Sequence, residues 1–191
     1  MTFERRFDRA LYLHMTLGLT QPLQPGGEAN RWEFAVRTKT YAKWAHQLFY
    51  DLLTYWLSTN GDVTQGYYLP LVFFTNASGE VCCGLTEETH GLSLTGSIRG
   101  LYFWDDAERL AFSTSDGGFH LMTAVAVTED EDRLAQEATP PHLLLLLRQM
   151  DIGQVSDPER SSVLSMANAE LEWERIRAMS HDDVVADLNA L

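Results

Sequence analysis

The chain has 191 residues and carries 14 Lys plus Arg against 27 Asp plus Glu, a formal net charge of −13. That balance argues against a general nucleic-acid binder, which needs a basic face to displace counterions, and against docking on anionic lipid. Hydrophobic residues make up 45% of the chain, which is enough for a packed core rather than disorder. The charge is also uneven. Residues 1–100 hold 8 basic and 9 acidic side chains, whereas residues 101–191 hold 6 and 18.

From the N-terminus, residues 10–19 alternate Leu11, Leu13, Met15, Leu17 and Leu19 with Tyr12, His14, Thr16 and Gly18. The period of two predicts a strand rather than the apolar core of a signal peptide. Residues 21–31 contain Pro22, Pro25, Gly26 and Gly27 and read as a loop. Residues 32–38 alternate again, with Trp32, Phe34 and Val36 opposite Glu33, Ala35 and Arg37, which predicts a strand with one buried face. Residues 41–59 place Trp44, Ala45, Leu48, Phe49, Leu52, Leu53, Tyr55 and Trp56 at spacings of three and four, the signature of an amphipathic helix.

Short β-like segments follow at 67–74, 81–85, 97–104, 110–113 and 119–128, separated by Asn, Asp, Ser and Gly. Residues 119–128 are small or apolar on both faces apart from His120, as expected of a central strand. Thr128 followed by Glu131 makes a capping-box pattern for a helix over 129–138. Pro140-Pro141 then opens a short apolar helix ending at Met150. Amphipathic helices are predicted over 167–179 and 182–191. The order β β α β β β β β α α α is an α+β pattern with a mixed, mostly antiparallel sheet packed with helices. Residues 1–166 are expected to form one domain, and 167–191 a C-terminal helical extension packed on it.

Chemistry-bearing patterns are sparse. The six histidines are scattered singly and no HxH, HExxH or paired CxxC occurs, so neither a metal site nor any other cofactor is expected. Cys82 and Cys83 are adjacent, point to opposite faces of a strand, and make no disulfide framework; this points to the cytoplasm. The acidic run Glu129, Asp130, Glu131 and Asp132 lacks the alternating ligands of a calcium loop and suits a first helical turn. An enzyme could draw on Cys83 with His90 or His120 in a cleft. Tyr67 and Tyr68 are adjacent in a strand, so one of them is expected to be exposed as a contact for a partner, with Tyr55 nearby.

Several of these segments, in order, resemble the Suppressor of fused (SUFU) family. Residues 13–20, including Gly18, resemble its first strand, and residues 32–37 its second. Residues 41–66 resemble its helix and loop, with Trp44 at the family tryptophan, Tyr55 at a tyrosine and Gly66 at the closing glycine. Residues 101–150 resemble the later strand-and-helix region, and Asp157 with Arg160 falls in the family's TDxxRxS turn. The entry to the helix lacks the family's prolines, and Tyr67 stands where animal members carry an acidic residue.

The resemblance implies a compact, non-catalytic protein-binding domain, with bacterial members of this size looking like immunity proteins that neutralise toxin domains. The acidic half then implies a basic partner, possibly a basic toxin domain, steered by Glu129, Asp130 and Asp132 and held by Tyr55, Tyr67 and Tyr68. Self-association through the 167–179 helix is the other arrangement open to a monomer of this composition.

Overall fold

A computed structural model describes residues 3–5, 11–17, 19, 32–59, 63, 65–85, 94–105, 112–114 and 117–190. The strands are β1 (Phe3–Arg5), β2 (Leu11–Met15), β3 (Trp32–Thr38), β4 (Tyr68–Thr75), β5 (Val81–Leu85), β6 (Ile98–Asp105), β7 (Phe112–Thr114) and β8 (Gly117–Thr128). The helices are α1 (Lys43–Thr59), α2 (Glu129–Glu137), α3 (Pro140–Gln149), α4 (Ala169–Arg177) and α5 (His181–Asn189). The sheet runs β1-β2-β3-β8-β6-β4-β5, with β7 folded back on β8. Only β3 and β8 pair in parallel among the described strands. The α+β class and the mixed, mostly antiparallel sheet expected from the sequence are therefore present. The predicted loop at 21–31 lies outside the described residues, and β1 is a strand that the sequence pattern did not predict.

Period-two alternation puts one core on each side of the sheet. Along β8, Met122, Ala124 and Ala126 face a core shared with Trp44, Leu48, Phe49 and Leu52 of α1. Val125 and Val127, on the opposite face of the strand, point into a second core shared with α2 to α5. The sheet is thus sandwiched between α1 and the four later helices. The five consecutive leucines Leu143–Leu147 cannot share one helical stripe, yet all are buried, because α3 lies between the sheet and α4 and α5. Each such leucine contributes about 1.5–3 kcal/mol of transfer free energy. Trp173, Ile176, Val184 and Leu188 bring α4 and α5 into that same core. Thr128 caps α2 through the reciprocal bonds that the sequence pattern predicted.

The strand over 32–38 departs from expectation. Glu33 and Arg37, assigned to its open face, are buried. Thr16 Oγ1 donates to Glu33 Oε2 at 2.7 Å, and Arg37 Nη1 donates to Gln154 Oε1 at 3.2 Å. The cover comes from a segment far away in sequence. β3 pairs with β8 only over Trp32–Ala35, and the two strands then part. Val155 and Ser156 fill the split. Val155 bridges Arg37, and Ser156 N donates to Arg37 O at 2.8 Å. Ser156 Oγ donates to Ala124 O and accepts from Ala126 N, both at 3.0 Å. A strap over residues 154–160 thereby replaces the missing ladder bonds. No helix among the described residues is long and apolar enough to cross a membrane.

Candidate functional site

The strap ends in a turn that the chain anchors firmly. Arg160 forks onto Glu131, Nη1 to Oε1 and Nη2 to Oε2, each at 2.5 Å. Arg160 Nη2 also donates to Ala126 O at 2.6 Å, and Val163 N donates to Glu131 Oε1 at 2.8 Å. Ser97 Oγ donates to Arg160 O at 2.8 Å. Asp157 and Arg160 share this turn, Arg160 N donating to Asp157 O at 3.2 Å, but only Arg160 meets Glu131. The fixed turn presents Asp157, Pro158 and Glu159 as one wall of a cleft of about 430 Å³.

The facing walls are the start of α1, with Tyr41, Lys43 and Trp44, and the start of β5, with Glu80. Glu80 is held by the β4–β5 turn, where Asn76 Oδ1 accepts from both Ser78 N and Glu80 N at 3.0 Å. Lys43 Nζ meets Glu80 Oε1 at 2.6 Å, and Lys39 Nζ meets Asp157 Oδ2 at 3.0 Å. The Lys43 bond and charge hold the Glu80 carboxyl below the usual carboxylate range. Trp44 itself packs edge-on against Phe73 at 4.8 Å and belongs to the core.

Tyr41 leads out of the cleft onto a ring cluster. Its centroid lies 6.4 Å from Tyr12, 5.6 Å from His14 and 5.8 Å from His46. Tyr41 is 53% exposed, and Tyr50, one helical turn beyond His46 on α1, is 67% exposed. These rings form a solvent-facing strip running from β2 along α1. His14 lies beneath it, buried. The one Thr38 hydroxyl proton goes to Thr40 O at 2.6 Å, so the 3.1 Å bond to His14 Nε2 takes its proton from the ring.

Burial and the nearby His46 hold the His14 imidazole below its ordinary value. The unfolded chain takes up a proton there first as pH falls through about 6.5, so this group withdraws stability as the pH drops below that value. Urea midpoints at pH 7.5 and 5.5 should show a loss that shrinks in His14→Asn; an undiminished loss would place the effect elsewhere.

The expected exposure of Tyr67 or Tyr68 does not occur. Both are half-buried, because helices cover both sheet faces. Tyr67 packs 6.2 Å from Phe103 on the α1 side. Tyr68 packs 5.0 Å from Tyr102 on the other, and donates to Arg99 O at 3.2 Å. Burial and the charge of Asp132 push the Tyr68 phenol up to about 12. The strand therefore sends these neighbours to opposite cores.

The acidic positions divide similarly. Asp132 accepts from Tyr102 OH at 2.7 Å and Asp130 pairs with Arg133, while Glu129 is exposed. Tyr55 lies in α1 with its side chain outside the described residues, as is that of His120, and Gly18 and His90 are outside altogether. Gly66 takes φ +83° and donates to Phe103 O at 2.7 Å, so glycine suits that turn. Cys83 is buried and its Sγ lies 3.5 Å from Trp44 O; burial pushes its thiol up to about 12. On α4, Trp173 and Ile176 are spent on the chain's own core, leaving Leu171 73% exposed.

The strip and the cleft were missed because their residues come from β2, the start of α1, the β4–β5 turn and the strap. The one local signal was Tyr41, at the start of the amphipathic helix predicted over 41–59.

No family model matches the chain, and no curated protein does. Solved structures do. The crystal structure of Drosophila Suppressor of Fused superposes with a TM-score of 0.63 at 16% identity, over 92% of this chain and 44% of that one. A chain of the Sufu-Fu complex crystal structure gives 0.63 at 17% identity, over 91% of this chain and 80% of that one. The chain thus spans less than half the length of the Drosophila protein, and at these identities the likeness is one of fold.

Proposed function

We propose that this chain is a non-catalytic protein-binding domain that captures a basic partner protein, in an immunity or regulatory role such as neutralising a toxin domain. The observation that carries the reading is the strip of Tyr12, Tyr41, His46 and Tyr50, rings that face solvent although two covered cores were available to them. Tyrosine of this kind is enriched at protein interfaces, where its apolar body and polar tip suit a surface that is sometimes wet and sometimes covered. The likeness to a chain of the Sufu-Fu complex supports binding over catalysis. So does a Cys83 thiol held protonated and buried, which is a poor nucleophile.

In this reading the net charge of −13 steers the partner and the tyrosines hold it. Affinity capture followed by mass spectrometry tests it. A basic protein should be retained, with an association rate that falls as salt rises. Tyr41→Ala and Tyr50→Ala should each cost about 1–2 kcal/mol of binding through faster dissociation, with stability changed by less than about 0.5 kcal/mol in Tyr50→Ala. A partner held equally well by both variants would overturn the assignment of the strip.

A further inference from the structure

The cleft beside Tyr41 has a definite chemistry. Its charged lining comprises the carboxylates of Glu80, Asp157 and Glu159 with the ammonium of Lys43, and Lys39 reaches Asp157 from beside it; Tyr41, half exposed, is its open aromatic residue. Lys43 sits on Glu80 and Lys39 on Asp157. Both lysines are more than half exposed, and exposed pairs of this kind are weak and readily exchanged. Glu159 makes no ion pair among the described residues. An excess of carboxylate oxygens beside an aromatic face disfavours an anion and suits a planar cation. A guanidinium can take a carboxylate through two parallel hydrogen bonds while stacking on a ring, which an ammonium cannot do. The wall bearing Asp157 and Glu159 is held in place by the Arg160–Glu131 fork behind it, so the carboxylates do not need to be ordered on binding.

We infer that this cleft receives an arginine side chain of the partner, inserted between Tyr41 and the carboxylates of Asp157 and Glu159 as the partner lies along the tyrosine strip. The inference rests on the protein-binding reading above and names the feature of the partner that this surface selects. It also gives a basic partner one anchoring residue in place of a diffuse field.

The test uses the full chain, labelled with ¹⁵N, and three probes: N-acetyl-argininamide, N-acetyl-lysinamide and the neutral isostere N-acetyl-citrullinamide. The arginine probe should shift the amides of residues 41–44, 80–81 and 157–159 saturably. The citrulline probe should leave them in place, and the lysine probe should bind more weakly than arginine. Asp157→Asn with Glu159→Gln should weaken the arginine response about tenfold, with the remaining amide spectrum unchanged. Shifts centred on the start of α2 or on α4 and α5 would overturn the inference, as would equal responses to arginine and citrulline. If a captured partner loses affinity in Tyr41→Ala but not in the Asp157/Glu159 variant, the cleft has no arginine in it although the strip binds. If no partner is captured, the binding reading fails and the three probes still decide the cleft.

Discussion

Arg160→Ala should cost the fold about 3–5 kcal/mol, the range for removing one member of a buried ion pair. In a chain of this size that lowers the melting temperature by roughly 6–20 °C. The reason is what remains behind. Glu131 is 0% exposed, and among the described residues its carboxylate would keep only Thr128 N at 2.9 Å and Val163 N at 2.8 Å as partners. Ala126 O would also lose its donor. Glu131→Ala should cost a similar amount, since it strands the guanidinium, whose Nε already has no hydrogen-bond partner among the described residues. The double variant should therefore cost clearly less than the sum of the two singles, because neither buried charge is then left alone. Chemical denaturation of the four proteins measures this directly. Additive costs would mean that the fork contributes nothing beyond two separate contacts.

Gly96→Ala should destabilise by roughly 3 kcal/mol or more, from two causes that add. Gly96 has φ +66°, a conformation that costs a non-glycine residue about 1–2 kcal/mol. A Cβ there would also stand 2.0 Å from Pro158 O and 3.2 Å from Glu159 Cα. The obstruction is backbone rather than the tip of a flexible side chain, so the strap turn itself must move. Gly79→Ala is the matched control, with φ +80° and open space around its Cβ. It should show the conformational cost alone. Equal losses at the two sites would mean that the strap yields without resistance.

Much of the fold was legible because it rests on local periodicity. The alternation in 119–128 gave a central strand with two apolar faces, and Thr128 with Glu131 gave the start of α2. The boundaries of α4 and α5 differ from the sequence reading by a residue or two at each end, as frayed termini do. What was not legible depends on pairings distant in sequence. Glu33 and Arg37 look like an open polar face until Thr16 and Gln154 cover them. Tyr67 and Tyr68 look like a buried and an exposed neighbour, but a sheet with helices on both sides leaves each half-buried. The Glu131 carboxylate, read as one of four acids favouring a helix dipole, is the centre of a buried network because Arg160 arrives from 29 residues away. The ring strip and the cleft draw on four separate segments, and no spacing within any one of them announces it.

The wedge of Val155 and Ser156 between β3 and β8 has a consequence for the order of assembly. Arg37 and Val155 are neighbours in space although 118 residues apart, so the parting of β3 from β8 stays unsealed until the strap has been made. An emerging chain holds α1 and the first strands with bare ladder groups at the middle of its sheet rather than at its rim. Long-range closure of this kind slows folding and leaves exposed strand surface in the interim. The interval between translation of β8 and arrival of the strap is then the period in which this protein is most open to aggregation or to a chaperone.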